Sequence, residues 1–289
     1  MQARASDICV GIGARRVHFE SLIATSRQVD FLQIVPEVFL GVGGRTRRSL
    51  DALHERFALL PHGVSLSVGG PDPLDSRRLA DLAALCAQLQ APYYSDHLCL
   101  SSVGGIETFD LIPLPFNYEA ACHAATRVQR ARAELGLPIA LENIVYYATM
   151  PDSSWDEGRF LSAVLDECNA GLLLDVSNVL VNARNQGLSA PDMLAALPLD
   201  RTVEIHLAGH RFVPSLGLVV DDHASLVSQA SIDLYEHALR SIGRPVRTLI
   251  EWDQALPDLD VLLDQADRVR SLQARIFAPN VTAPEGARS

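Results

Sequence analysis

Residues able to bind metal ions stand at the ends of short apolar runs throughout this 289-residue chain. His97, Glu142, Asp175, His206 and Glu251 each close such a run or lie near its end. Four more residues with imidazole, carboxylate or amide side chains follow or flank the runs. They complete the set of candidate metal ligands and are His62, Asn178, Asp221 and His223.

The chemistry of this set is that of a metal site with more than one ion. Imidazole and carboxylate groups are ligands of zinc, iron and manganese. The candidate set contains no cysteine, which disfavours an iron–sulfur cluster. A single histidine or carboxylate at such a position would be interpreted as a hydrogen-bonded structural residue or a helix cap. The whole set is too large for one ion, and its clustered carboxylates would repel one another without cations. We therefore predict a site with two or three metal ions.

Four further polar residues are candidates for supporting roles. Asp96 lies next to a candidate ligand in a predicted strand, where neighbouring side chains point to opposite faces, so it is expected to orient an imidazole from outside the metal site. His210 and Asp253 are assigned a similar catalytic role outside the ligand set. Asn143 is the candidate for substrate binding.

The elements that must position these residues form an alternation of short apolar and longer amphipathic segments. The apolar runs are rich in Val, Ile and Leu with little polar alternation, which is typical of strands buried on both faces. Strands are predicted at Ile8–Ile12, Asp30–Val35, Gly63–Val68, Pro92–His97, Pro138–Asn143, Gly171–Ser177, Thr202–Leu207 and Val246–Trp252. Helices are predicted at Thr46–Ala58, Asp75–Gln90, Tyr118–Leu135, Glu157–Cys168, Ala190–Ala196, Ser228–Ile242 and Asp258–Ser271.

Eight strands alternating with helices predict an α/β protein with a (β/α)₈ TIM barrel, and a doubly wound open sheet is the alternative. Residues 1–278 are expected to form one barrel domain, and the polar segment 279–289 a flexible tail. The C-terminal strand ends of a barrel converge on one face, so the candidate ligands are expected to share a cavity there. His62 is placed just before the third predicted strand.

Composition limits the partners and the compartment. A net charge of −11 argues against a nucleic-acid partner, and no apolar run is long enough to span a bilayer. All 24 basic residues are arginine, which excludes lysine Schiff-base chemistry. Five scattered cysteines without CxxC spacing, together with an N-terminus that has no apolar signal segment, predict a cytoplasmic protein.

The order of these residues resembles the xylose-isomerase-like barrel superfamily. The spacings Asp175-x-x-Asn178 and Asp221-x-His223 are similar to the ligand pattern of its trinuclear zinc endonuclease branch, which has His where this chain has Asn178. The longer motifs resemble the multinuclear non-heme iron-dependent oxidative enzymes over nearly the whole chain. These motifs are PHGVSLS at 61–67, DPL at 72–74, SDHL at 95–98, LIPLP at 111–115, LEN at 141–143, LLDVSN at 173–178, IHLAGH at 205–210 and IEWD at 250–253.

The resemblance implies an oxidative enzyme of ribosomally made precursor peptides. Such enzymes hold two or three irons in mixed Fe(II)/Fe(III) states and use O₂ as co-substrate. They modify a cysteine or another side chain, here expected in the C-terminal region of the peptide, and commonly require a separate partner protein that presents the peptide. The alternative is a metal-dependent hydrolase or isomerase on the same barrel, of the abasic-site endonuclease or sugar isomerase kind.

Two departures from the family pattern concern the wall of the site. Gln33 and Val38 stand where the family usually has the first Glu and the Asn of a Glu-x-x-x-Glu-Asn segment, and Ser177 stands where it often has Asn. Neither change removes a predicted ligand. Both leave the identity of the substrate open.

Overall fold

The computed structural model describes residues 8–278 and contains an eight-stranded parallel barrel. The barrel strands are β1 (Val10–Gly13), β2 (Phe31–Ile34), β3 (Ala58–Pro61), β4 (Tyr94–His97), β7 (Ile139–Glu142), β8 (Gly171–Asp175), β9 (Thr202–Ala208) and β12 (Arg247–Glu251). The strands follow the order β3-β2-β1-β12-β9-β8-β7-β4, and the β3 and β4 ends meet through a parallel bridge between His62 and Ser95. The amide of Gly63 donates to the carbonyl of Ser95 at 2.7 Å. The predicted TIM-barrel fold is confirmed.

Helices surround the barrel, and two antiparallel hairpins extend from its strand ends. The hairpins are β5 (Leu100–Val103) with β6 (Ile106–Ile112), and β10 (Arg211–Val213) with β11 (Leu218–Val220). The helices are α1 (Phe19–Ala24), α2 (Gly44–His54), α3 (Ser76–Gln88), α4 (Tyr118–Leu135), α5 (Glu157–Cys168), α6 (Val176–Gln186), α7 (Ala190–Ala196), α8 (Gln229–Ile242) and α9 (Leu259–Ile276).

Helix α4 illustrates how local sequence sets these elements. The side chain of Asn117 accepts a hydrogen bond from the Ala120 amide and caps the N-terminus. Small residues at helical spacing, such as Ala121 and Ala125, are buried against the rest of the protein. The helix ends at Gly136, whose φ of 71° is left-handed and suits glycine.

The predicted third strand, Gly63–Val68, is wrong. The strand is Ala58–Pro61, so His62 follows a barrel strand instead of preceding one. The apolar alternation after Gly63 resembles a strand, but side chains satisfy its backbone: the Leu66 amide donates to Asp96 Oδ2 at 3.1 Å, and the Val64 amide donates to Glu37 Oε1 at 3.0 Å. The correction places His62 at the C-terminal end of a strand, like most of the other candidate ligands.

Two more differences concern the segments after strands. Helix α6, which begins at Val176, was not predicted, because the apolar run Gly171–Ser177 was interpreted as strand to its end. The hairpins were also missed, since their strands lie outside the barrel and are mostly not buried. The predicted tail at 279–289 lies outside the described residues. In the described part of the chain, no helix combines the length and the apolar character that crossing a membrane requires.

Candidate metal centre

Histidine and carboxylate side chains from different strands meet at the C-terminal end of the barrel in three overlapping groups. Within each group, one potential ligand atom per residue lies within 4.8 Å of the others. The groups are His62 with His97 and Glu142; Glu142 with Asp175, His206 and Glu251; and His223 with Glu251 and Asp253. Glu142 and Glu251 each belong to two groups, which is the position that a bridging carboxylate would occupy. Asp221 Oδ1 adds a further carboxylate 2.9 Å from His223 Nε2.

The spacing of Asp175 and Asn178 has a local structural cause. Asp175 ends β8 and is also the N-cap of α6, where its Oδ1 accepts a hydrogen bond from the Asn178 amide at 2.7 Å. One carboxylate oxygen is thereby fixed by the helix, and the other, Oδ2, has no partner among the described residues. The cap thus orients Asp175 for a second role.

Unpaired buried polar atoms identify the interior of the cluster. Such atoms are costly in a folded protein unless an ion or water satisfies them. Seven of the nine predicted ligands carry one that finds no hydrogen-bond partner within residues 8–278: His62 Nε2, Glu142 Oε2, Asp175 Oδ2, Asn178 Oδ1, His206 Nδ1, Asp221 Oδ1 and His223 Nε2. His62 Nε2 lies 3.1 Å from Glu142 Oε2, and His223 Nε2 lies 2.9 Å from Asp221 Oδ1, but neither pair is aligned as a hydrogen bond. Nitrogen and oxygen donors of this kind fit first-row metal ions such as iron.

The four imidazoles share a further property of metal-binding histidines: one ring nitrogen faces other candidate ligands while the second is held by a hydrogen-bonding group. His62 Nδ1 lies 3.0 Å from Ser95 Oγ, and His97 Nδ1 lies 3.1 Å from the carbonyl of Gly63. For the two remaining rings, His206 Nε2 is 2.9 Å from Gln33 Nε2, and His223 Nδ1 is 3.0 Å from Asp253 Oδ2.

The opposite charges of the clustered histidine and carboxylate side chains compensate one another only in part. Burial opposes the ionisation of Glu142, but the imidazoles of His97, His206 and His62 outweigh it and lower the Glu142 pKa to about 2. Burial also opposes the charging of His97, yet Glu142 and Asp96 raise the His97 pKa to about 9. Burial, followed by the charges of Glu142 and Asp221, raises the pKa of Asp175 well above its ordinary value. A cation at this position would remove the repulsion that Asp175 experiences.

The residues predicted in supporting roles lie in different surroundings. Asp96 is fully buried and accepts hydrogen bonds from Tyr94 Oη and from the amides of Leu66 and His97, so it fixes the loop that carries His62. His210 lies outside the three groups and is 3.1 Å from Arg184.

Asn143 joins two strands of the barrel. Its Nδ2 donates to the Asp175 carbonyl, and its Oδ1 accepts from the Asp175 amide, both at 2.9 Å. Both atoms of the side-chain amide are therefore engaged with the backbone beside a candidate ligand.

Sequence reasoning missed three residues at this centre. Arg15 bonds Asp253 and lies 3.6 Å from Glu251. Gln33 was noted only as a departure from a motif, although it contacts His206 and donates to Glu204 Oε1 at 3.1 Å. Glu204 is fully buried, and its position two residues before His206 on one strand was a usable signal that both side chains share a face.

A family model described as "RiPP precursor modification enzyme MbnB/TglH/ChrH", the enzymes of ribosomally made peptide precursors, matches residues 9–274. The chain belongs to this family. It is 38% identical over 268 residues to a UPF0276 protein of Anaeromyxobacter sp. (strain Fw109-5), covering 93% of this chain and 94% of the relative. A UPF0276 protein of Pseudomonas aeruginosa (strain PAO1) is 40% identical over 267 residues, covering 92% of each.

Solved structures share the fold of this family member at low sequence identity. A xylose isomerase-like TIM barrel protein from Mycobacterium smegmatis, in complex with magnesium, superimposes with a TM-score of 0.60 at 13% identity, covering 96% of this chain and 100% of that one. The D-psicose 3-epimerase of Clostridium cellulolyticum H10 gives a TM-score of 0.59 at 11% identity, covering 93% and 99%. The barrel is therefore xylose-isomerase-like.

Proposed function

We propose that this RiPP modification enzyme oxidises a side chain of its precursor peptide, at a cysteine or another residue of the C-terminal region, using O₂ and two or three irons in mixed Fe(II)/Fe(III) states. The observation that carries the proposal is the set of seven buried, unpaired nitrogen and oxygen atoms, five of which lie on side chains whose other polar atom is already hydrogen-bonded. Family membership supplies the peptide substrate.

The proposed ligands are His62, His97, Glu142, Asp175, Asn178, His206, Asp221, His223 and Glu251. Bound iron would supply the one-electron chemistry and the O₂ binding that protein side chains lack. Of the protein's own groups, Asp253 holds the His223 ring, Arg15 neutralises Asp253 beside Glu251, and Asp96 fixes the loop after β3. The burial of most of the cluster excludes water from the reacting side chain.

Two further parts of the proposal concern the setting of the reaction. A separate partner protein presents the peptide, since ordering a flexible chain has a large free-energy cost that contacts at the metal site alone do not offset. The reaction takes place in the cytoplasm, in keeping with five cysteines that are all free thiols.

The test is metal analysis joined to turnover. The protein is purified without oxygen, its metals are counted, and it is then exposed to O₂ with the precursor peptide and the neighbouring gene product while the peptide mass is followed. Iron, an oxidation-dependent absorbance and a peptide mass change that requires O₂ are the expected results. Stoichiometric zinc with hydrolysis of DNA at abasic sites, or sugar isomerisation without O₂ uptake, would establish the hydrolase or isomerase alternative instead.

A further inference from the structure

Exposed large apolar side chains are concentrated at one end of the described barrel. All but Leu188 and Val203 lie between a barrel strand and the helix that follows it, or at the first residue of that helix. These residues are Val17, Val38, Val42, Val64, Val103, Ile106, Phe109, Tyr118, Tyr147, Phe212, Leu216 and Leu226. Concentrations of exposed apolar surface mark binding sites more often than chance. Here the concentration coincides with the end of the barrel that holds the candidate metal centre.

The side chains of the cluster differ in their exposure to solvent. The side chains of His206 and Glu142 are 0% and 2% exposed, whereas those of Asp221 and Asp253 are 16% and 40% exposed. Asp221 and Asp253 therefore mark the open side of the cluster, from which a reacting group can approach.

The β10–β11 hairpin borders this open side. Strand β11 ends at Val220, directly before Asp221, and the Asn185 side chain fixes β11 through two hydrogen bonds of 2.8 Å with the backbone of Val219. On the other strand, Arg211 Nε donates to Asp222 Oδ2 at 2.6 Å. The base of the hairpin is thus held in place beside the ligands.

The outer part of the hairpin presents apolar side chains that the described chain leaves uncovered. Phe212 is 60% exposed and Leu216 is 63% exposed. Tyr147, which is 50% exposed, completes the rim, since its hydroxyl accepts a hydrogen bond of 3.3 Å from the Asp221 amide. We call Tyr147, Phe212 and Leu216 the hairpin rim.

We propose that the hairpin rim docks a bulky apolar residue of the precursor peptide close to the residue being modified. The inference rests on the proposed function and extends it to substrate selection. The rim offers aromatic and aliphatic surface without charge, so the chemistry that it recognises is an apolar or aromatic side chain. Because Tyr147 of the hairpin rim is hydrogen-bonded to the Asp221 amide, a side chain bound at the rim would lie next to the open side of the candidate metal centre.

The probe is a phage-displayed library of random dodecapeptides, selected on the immobilised, metal-loaded protein. The best binder is synthesised with a fluorescent label, and its affinity is measured by anisotropy. We expect the binder to contain a bulky apolar residue and to lose about tenfold in affinity for the variant Phe212→Ser/Leu216→Ser. The control Leu188→Ser/Val203→Ser, at the exposed apolar residues outside this end, is expected to stay within about twofold of the wild type.

Two further variants keep the test decisive. Phe212→Leu retains an apolar surface and is expected to retain binding, whereas Leu216→Arg at the tip is expected to lose it even if the double variant folds poorly. Equal affinity for the wild type and both rim variants, equal loss in the control, or no selectable binder would overturn the docking site. A rim-dependent binder alongside a protein that never consumes O₂ on its precursor would contradict the proposed function and leave the docking site standing.

Discussion

Three imidazoles converge on one carboxylate oxygen of Glu142. Its Oε2 lies 3.1 Å from His62 Nε2, 3.5 Å from His97 Nε2 and 3.7 Å from His206 Nδ1. Loss of a residue that only supports a metal ligand typically lowers metal affinity by roughly 10–100-fold. Glu142→Gln removes the charge of a carboxylate that belongs to two of the three groups of candidate ligands, so we expect it to lower metal affinity by at least this factor. Metal counted per purified chain is the measurement.

Asp96→Asn and Glu157→Gln are the controls for that result. Both alter a buried carboxyl group outside the three groups of candidate ligands. Glu157→Gln is expected to retain the metal, and Asp96→Asn is expected to retain more metal than Glu142→Gln but to be less stable, because Asp96 accepts several hydrogen bonds in the loop after β3. A metal-free Asp96→Asn protein beside a metal-loaded Glu142→Gln protein would reverse the roles given to the two residues.

Glu157 provides a pH-dependent test away from the centre. Burial raises its pKa from 4.5 to about 7, while the hydroxyl of Tyr146 donates to its carboxyl group. The folded state therefore binds the proton more tightly than the unfolded state, and the stability due to this group is greatest below pH 4.5 and is lost as pH rises to about 7. The loss is of the order of 3 kcal/mol.

The variant Glu157→Gln removes this titration and keeps an acceptor for Tyr146. The difference in unfolding free energy between variant and wild type is expected to shift in favour of the variant by up to about 3 kcal/mol between pH 4.5 and 8. Denaturant unfolding at several pH values measures it, and contributions from the metal centre cancel in the difference. A difference that is flat with pH would show that Glu157 titrates normally.

At the scale of elements, a backbone contact holds the segment that carries Asp221 and His223. A Cβ added to Gly209 would lie 2.1 Å from the carbonyl oxygen of Ser225, and the His223 amide donates to the Gly209 carbonyl at 3.2 Å. His223 itself has a φ of 45°, a strained conformation that its surroundings must maintain.

We expect Gly209→Ala to displace this segment, to destabilise the protein by roughly 1–3 kcal/mol and to lower the metal content. Gly43→Ala is the matched control, because an added Cβ there meets nothing within 4 Å and its φ is −125°. Thermal unfolding and metal analysis of both variants provide the comparison. Normal metal content in Gly209→Ala would mean that the segment can move without loss of its ligands.

The elements also show which parts of this fold could be predicted from the sequence. Long apolar runs such as Val246–Trp252 and capped helices such as Tyr118–Leu135 carried clear local signals, and the barrel followed from their alternation. The third strand was displaced because Asp96 and Glu37, distant in sequence, satisfy the backbone after His62. Helix α6 was missed because Asp175 ends a strand and caps a helix at once.

The candidate site also has one part that the sequence could predict and one part that it could not. Polar residues at strand ends were visible in the sequence, since an isolated charge after an apolar run is unusual. The outer contacts were not, because Arg15 reaches Asp253 across 238 positions and Gln33 reaches His206 across 173. Such pairs meet only through the closure of the barrel.

At the scale of the whole molecule, a chain with a net charge of −11 also buries carboxylates at one end of its barrel. Metal ions would neutralise that cluster and cross-link strands β3, β4, β7, β8, β9 and β12, so the loaded protein should unfold at a higher temperature. With free metal at 100 times its dissociation constant, a single site adds about 2.7 kcal/mol. For a protein of this size we expect a rise in Tm of roughly 4–5 °C for each such site.

The measurement compares thermal unfolding of chelator-treated protein with the same sample reloaded with Fe(II) under anaerobic conditions. The increase should be smaller in Glu142→Gln, which lacks the carboxylate shared by two groups, and full in Glu157→Gln, whose carboxyl group lies elsewhere. A chelator-treated protein that unfolds at the same temperature as the reloaded one would mean that the unpaired atoms at the barrel end do not hold metal. The repulsion around Asp175 would then have to be relieved by its own proton, in line with its raised pKa.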